Sequence, residues 1–339
     1  MTEVFRCSID LSVILSEMKN QGGLIIENTM YSSSPPRRKR KTILNDGENI
    51  ANIFLNHASQ TGIENVGFQL WNGCFLLADY LLFARNTLRE YAVVEFGGGV
   101  GLVANLLRYM LRPIGSVVTD YKMEVIDLTS QNVDNNSHLS LKWFLPLSVE
   151  QSPSLPRISC RILDWTSEFN PRKASQEAIS SSGWTDEDIS LLKANKVLFL
   201  AADVLYDDLL TVHFFKKLVE MILPGDILIL TLEKRVNFSS KLLREIVNCY
   251  ELFLFLINHE SMAAVSAERI VDQIILLSDG LSLQESFGDH SANALLETVR
   301  MIINKGLIGE MVPLDHVPQY VTSYERNKYM EIWQIICGK

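Results

Sequence analysis

The chain has 339 residues, 47% hydrophobic and 21% charged, enough to bury a sizeable core in one large domain or two small ones. Lys and Arg number 31 against 40 Asp and Glu, giving a net charge of −9. That balance argues against a protein whose whole surface grips nucleic acid, while leaving room for a local basic patch.

The five cysteines are scattered without a Cys-x-x-Cys pair, which suggests neither a disulfide framework nor a zinc site. The six histidines are equally dispersed and read as surface or packing residues, so no metal is expected. No apolar run approaches the ~18 residues of a membrane span. Cys7, Asp10 and Glu17 interrupt any stretch resembling a secretory signal. The expectation is a soluble protein of a reducing compartment with no membrane partner.

In chain order, residues 1–60 read as an N-terminal extension. Within it, 31–41 (Y-S-S-S-P-P-R-R-K-R-K) combines prolines with five consecutive cations, Arg37, Arg38, Lys39, Arg40 and Lys41. The prolines break regular structure and the like charges repel, so a solvated, mobile segment is expected. Five cations after two prolines also read as a nuclear import signal or a nucleic-acid contact, the plain alternative being a solvated charge run.

Residues 61–339 alternate between two patterns. Short apolar runs at 91–95, 115–120, 158–163, 196–202 and 226–232 suit strands buried on both faces. Segments 71–83, 102–111, 124–133 and 209–223 carry the three-and-four spacing of a helix face. Strand–helix–strand repetition predicts an α/β fold: a doubly wound, Rossmann-like parallel sheet with helices on both faces. Residues 311–317 and 328–336 are expected to pair as an antiparallel hairpin at the sheet edge. Serine- and proline-bearing stretches at 148–156 and 171–188 mark insertions near 145–195, and 260–307 is a second one.

The chemistry centres on Glu95-Phe96-Gly97-Gly98-Gly99-Val100-Gly101-Leu102, where a strand runs into a helix. Glycines there let the chain turn sharply and let a ligand approach the backbone. A tight strand-to-helix loop is the plain alternative. A dinucleotide fingerprint would place Gly or Ala where Leu102 stands, which disfavours a nicotinamide enzyme. Gly97-x-Gly99-x-Gly101 after an acid is instead similar to the first motif of S-adenosylmethionine-dependent methyltransferases.

Asp120 ends the next strand, where a carboxylate can accept from ribose hydroxyls, or simply cap a helix. Asp164-Trp165 follows the third strand with an aromatic face where an adenine would lie. Ala202-Asp203-Val204-Leu205-Tyr206 follows the fourth, over the edge where doubly wound sheets bind ligands. A helix N-cap and loop packing are the ordinary readings of Asp203 and Tyr206, as core packing is of Trp71.

Taken together, Gly67-x-x-x-Trp71, L-A-D-Y-L at 77–81, E-F-G-G-G-V-G-L, D-W, A-D-V-L-Y and L-E-K-R at 232–235 resemble the seven-strand protein-lysine methyltransferases of family 16. I-I-E-N-T-M at 25–30 and Y-E-R at 324–326 add to the likeness, which covers roughly 61–258 and 308–339. The resemblance implies a seven-stranded methyltransferase domain over 61–339, with S-adenosyl-L-methionine as cofactor. Trp71, Glu95, Gly97, Gly99, Asp120, Trp165 and Ala202 would line the cofactor pocket, and Asp203 and Tyr206, matching the family's Asp-x-x-Tyr, would stand beside the transferred methyl. Phe96, Gly98 and Val100 depart from the more usual Leu, Ala and Thr, and Val100 removes a hydroxyl near the cofactor.

The implied partner is a protein carrying the target lysine, and the basic run suggests one associated with nucleic acid, in the nucleus or the cytoplasm. Two other classes compete. A nucleic-acid or small-molecule methyltransferase is one, although the prolines of an Asn/Asp-Pro-Pro-Tyr/Phe loop are missing after strand four. A non-catalytic binding module that keeps the fold is the other.

Overall fold

The computed structural model describes residues 2–14, 50–111, 113–137, 139, 155–239, 244–247, 249–278, 280–287 and 291–338. The basic run 37–41, the 25–30 segment and most of 148–156 lie outside the described residues.

The apolar runs form β3 (Ala92–Phe96), β4 (Gly115–Asp120), β5 (Ile158–Ile162), β6 (Val197–Ala202) and β7 (Ile227–Glu233). After β7, β8 (Val236–Ser239) and β9 (Arg244–Val247) pair as a separate antiparallel hairpin. With β10 (Leu307–Val312) and β11 (Met330–Cys337) the five apolar runs make a seven-stranded sheet in the order β10-β11-β7-β6-β3-β4-β5. Strands β3 to β7 pair parallel, and β11 runs antiparallel between β7 and β10. The expected doubly wound sheet with its antiparallel C-terminal pair is therefore present.

The pair differs from expectation in detail. Its first strand begins at Leu307 and stops before Pro313, which lacks a ladder donor. A 3-10 turn follows at Leu314–His316. Only β10 forms the edge, because β11 is hydrogen-bonded on both sides.

Side chains alternate between the faces of the sheet. Val94, Phe96, Phe199 and Leu230 pack on one side with α6 (Asp208–Met221), α7 (Tyr250–Leu256), α8 (Ala267–Leu277) and α10 (Ser291–Asn304). Val93, Val118, Leu200 and Ile229 pack on the other with α1 (Asn72–Phe83) and α2 (Leu102–Tyr109). Glu95 alternates onto this second face, which decides its surroundings. Between β4 and β5 lies α3 (Met123–Asn135). The polar stretch before β6 forms α4 (Gln176–Ser182) and α5 (Asp186–Ala194), the latter opened by a reciprocal Thr185–Asp188 capping box. The 260–307 stretch carries α8, α9 (Gly280–Phe287) and α10, whose Ile270, Leu283 and Val299 enter the first core.

Near the N-terminus, β1 (Thr2–Asp10) and β2 (Ile50–Ala58) form an antiparallel hairpin, and Cys7, Ile9, Ile53 and Leu55 are buried in the second core beside α1 and α2. Residues Ile63–Phe83 are, by length and mean hydropathy (1.2) alone, long and apolar enough to cross a membrane. Extended backbone at Gln69 and Trp71 breaks that stretch into a 3-10 turn, Ile63–Phe68, and α1.

Candidate functional site

The chain enters the sheet at β3, builds outward to β5, and returns to β6 on the other side of β3. Strand order reverses there, and such switch points open a crevice at the carboxyl ends of the strands. The glycine loop follows β3, Asp120 ends β4, Trp165 follows β5 and Asp203 follows β6, so one edge collects residues spread over more than a hundred positions.

Gly97, Gly99 and Gly101 all have positive φ (65°, 52° and 84°), which L side chains rarely adopt. A Cβ on Gly97 would stand 3.2 Å from Val204 and 3.7 Å from the Trp165 ring, and one on Gly99 would stand 3.2 Å from the Gly67 carbonyl. The loop is thus walled by Val204 and Trp165 on one side and by the Ile63–Phe68 turn on the other. Trp165 is itself fixed edge-to-face against Phe214, ring centres 5.2 Å apart.

Asp120 holds the loop from β4. Its Oδ2 accepts the Gly99 N–H at 3.2 Å and its Oδ1 the Tyr121 N–H at 2.8 Å. Burial pushes its carboxyl up, opposed by those N–H groups and by Lys122. Tyr121 and Lys122 also clasp the 3-10 turn: both donate to the Glu64 carbonyl, the tyrosine hydroxyl at 2.7 Å.

Glu95 is 2% exposed, and its Oε2 is buried without a hydrogen-bond partner among the described residues. Burial, then the nearby Asp120, pushes its carboxyl well above the ordinary range. A buried polar atom left unpaired costs stability and so points to a donor that arrives from outside.

Asp203 has positive φ (53°), unusual for a residue with a side chain. Its Oδ2 accepts the Gly73 N–H at 2.6 Å and its Oδ1 the Glu233 N–H at 2.8 Å, so the carboxylate joins the first turn of α1 to the end of β7. Burial raises its carboxyl, and the two N–H groups oppose the rise. The expected helix-cap alternative falls to Asp207 instead, which accepts the Leu210 N–H. Tyr206 is half-buried, with its hydroxyl pushed up first by burial and then by Tyr121 and Asp120. Ala202 is half-buried at the end of β6.

Trp71 stands at the N-cap of α1, donates Nε1–H to the Val66 carbonyl at 3.0 Å, and carries the Arg235 guanidinium 4.7 Å over its ring. Beside it, Glu233 accepts from the side-chain amides of Asn72 (2.9 Å) and Asn327 (2.7 Å). Val100 is only 3% exposed and belongs to the second core, so its side chain packs inward.

The sequence reading missed Thr129, Asn132, Gly73 and Asn327. Thr129 and Asn132 are completely buried on α3, and three-residue spacing puts them on one face. Polar residues on the inner face of a helix are the signal that could have found them.

The set fits an adenosyl cofactor bearing an ammonium, a sulfonium and ribose hydroxyls. Glu95, Asp120 and Asp203 present carboxyl oxygens that can accept, the Glu95 Oε2 has no partner among the described residues, and Gly97 and Gly99 add no side chains of their own over the crevice. Among the described residues, no group of three or more His, Cys, Asp or Glu could hold a metal ion.

The chain is 30% identical over 204 residues to methyltransferase-like protein 22 of Homo sapiens, covering 59% of this chain and 46% of that protein. The Mus musculus protein of the same name matches at 30% over 204 residues, 59% of this chain and 48% of its own. The chain thus spans about half the length of these relatives. Among solved structures, the CurJ carbon methyltransferase covers 78% of this chain and 54% of its own at 13% identity and a TM-score of 0.37. The N-methyltransferase NodS from Bradyrhizobium japonicum, with S-adenosyl-l-homocysteine, covers 79% and 90% at 12% identity and a TM-score of 0.35. The chain has the methyltransferase form of the doubly wound fold, and its residues 51–180, which hold the glycine loop, Asp120 and Trp165, match the family model described as lysine methyltransferase.

Proposed function

We propose that this chain catalyses methyl transfer from S-adenosylmethionine to a lysine side chain of a protein substrate. The observation that carries the reading is the row of three carboxylates, Glu95, Asp120 and Asp203, at the switch point around a loop of left-handed glycines. The match of residues 51–180 supports lysine as the acceptor. The cations Arg37, Arg38, Lys39, Arg40 and Lys41 support a nuclear site of action and a substrate associated with nucleic acid.

When bound, S-adenosylmethionine supplies an activated methyl group. Glu95 and Asp120 would accept from its ammonium and ribose hydroxyls, Gly97 and Gly99 would admit it to the backbone, and Trp165, Trp71 and Ala202 would wall it. The protein must then hold a neutral amine in line with that methyl. Lysine in water has a pKa of ~10.4 and arrives as an ammonium. A negative Asp203 favours that ammonium, so it draws the lysine in and does not act as its base. Burial around Asp203 and Tyr206 favours the neutral amine, whose proton leaves to water. Tyr206 supplies a wall and a hydroxyl at the amine.

The test is incubation of the purified chain with methyl-labelled S-adenosylmethionine and a nuclear extract, beside an Asp203→Ala variant. The expected result is a discrete labelled protein that the variant does not label. Cofactor binding without protein labelling would favour a small-molecule acceptor or a binding module.

A further inference from the structure

The edge strand of the N-terminal hairpin has an unusual partner. Among the described residues β2 has β1 as its one strand partner, and the other edge of such a strand presents backbone groups that need partners. Asn132 on α3 and Asn136 at its C-cap fill the place of the next strand. Asn136 accepts the Phe54 N–H at 2.9 Å and donates to the Phe54 carbonyl at 2.7 Å. Asn132, one turn earlier, accepts the Asn56 N–H at 2.8 Å and donates to the Asn56 carbonyl at 3.0 Å. The four-residue spacing puts both amides on one helix face, and Phe54 and Asn56 are two apart on the strand, so the two periods coincide.

The two asparagines are not equivalent. Asn132 also donates Nδ2–H to the Val100 carbonyl, inside the glycine loop, at 2.9 Å. Thr129, on the same face, donates its hydroxyl to the Gly99 carbonyl at 2.5 Å. Asn136 makes its remaining donation to the Asn132 carbonyl, within its own helix. One completely buried amide therefore ties β2 to the loop that meets the cofactor.

We propose that Asn132 is a positioning residue through which the N-terminal hairpin sets the conformation of the glycine loop, so that cofactor binding and hairpin order are coupled. This rests on the adenosyl-cofactor reading above. With its amide satisfied by Asn56, Asn132 holds the Val100 carbonyl turned toward α3, and the left-handed turns at Gly99 and Gly101 on either side keep their orientation. Coupling of this kind is reciprocal: whatever the hairpin does for the cofactor, the cofactor does for the hairpin.

The experiment uses the full chain and S-adenosylhomocysteine, titrated by calorimetry. Asn132→Asp keeps an acceptor for the Asn56 N–H and loses both donations, whereas Asn136→Asp makes the same chemical change on the hairpin without touching the loop. Asn132→Asp should weaken binding about tenfold or more, and Asn136→Asp should stay within about twofold. In the unmodified chain, S-adenosylhomocysteine should slow amide hydrogen exchange of Asn56. Equal binding by Asn132→Asp and the parent, or equal losses in both variants, would overturn the coupling while leaving the cofactor reading intact. No binding by the parent would overturn both. Should Asn132→Asp fail to fold, the exchange measurement decides: an Asn56 amide indifferent to ligand refutes the proposal.

Discussion

Gly73 donates its backbone N–H to the Asp203 carboxylate at 2.6 Å, across 130 residues of sequence. A Cβ on Gly73 would lie 2.7 Å from the Asp203 Cγ and 2.8 Å from its Oδ2, so the carboxylate occupies the space a side chain would need. A glycine in the first turn of α1 is thereby explained by a loop that follows β6. Gly73→Ala should destabilise the chain by about 1–3 kcal/mol through overpacking, although alanine is the better helix former. Urea unfolding measures this, and methyl transfer should fall with it, because Asp203 must move.

Asp203→Asn places an amide donor where two N–H groups already converge. One backbone donor, of Gly73 or Glu233, then loses its acceptor, at a cost of about 1–3 kcal/mol. Lysine methylation should fall more than S-adenosylhomocysteine affinity. Tyr206→Phe should lower turnover and leave the melting temperature unchanged, because no described residue hydrogen-bonds the tyrosine hydroxyl. A variant methylating at the parental rate would remove Asp203 from the proposed role.

Glu95 offers a pH test. Its folded-state carboxyl lies well above the ordinary range because of burial and Asp120. The folded chain therefore holds a proton that the unfolded chain has lost, and stability falls as pH rises from the ordinary carboxylate value to the raised one. Glu95→Gln removes that loss. The variant should melt higher than the parent at pH 8 and alike at pH 4, and bind S-adenosylhomocysteine about tenfold less tightly, the size of one lost charge-assisted hydrogen bond. Melting curves at the two pH values and a titration at pH 8 check both halves.

Asp79 is completely buried in α1 and is satisfied from the far end of the chain. It accepts from the N–H groups of Tyr320 and Val321, from the Tyr324 hydroxyl, and from Arg326 at 2.7 Å. Arg326→Ala leaves that carboxylate without its cation and should cost about 3 kcal/mol, the usual penalty for breaking a buried pair. The loss should show equally with and without cofactor, because none of the hydrogen bonds to Asp79 reaches the glycine loop.

The resemblance in the sequence already held both halves of that cluster, L-A-D-Y-L and Y-E-R, as separate pieces. Their contact was not legible, because nothing in residue spacing says that a helix near position 79 meets a connection near 326. The strands were legible, because a parallel sheet covered on both faces needs near-continuous apolar runs. Helix ends moved by at most two residues, as at α6, which begins at Asp208 rather than Leu209 and is capped by Asp207. The interior order of β11 was hidden, since pairing on both sides depends on β7 and β10 rather than on its own residues.

The sequence alone determined what is local: the apolar periodicities that make this an α/β chain, and the glycines at 97, 99 and 101 whose backbone angles other residues resist. It also determined the acids that close β3 and β4 and follow β6. The tertiary structure decided what each acid does. Glu95 keeps an oxygen without a partner among the described residues because strand alternation turns it into the packed face beneath α1 and α2. Asp203 becomes a bridge because β7 and α1 bring two N–H groups to it. Asn132 joins a hairpin to the glycine loop because a helix turn and a strand step coincide there. Hydrogen bonds across such distances are fixed by packing, which no single segment of the chain contains.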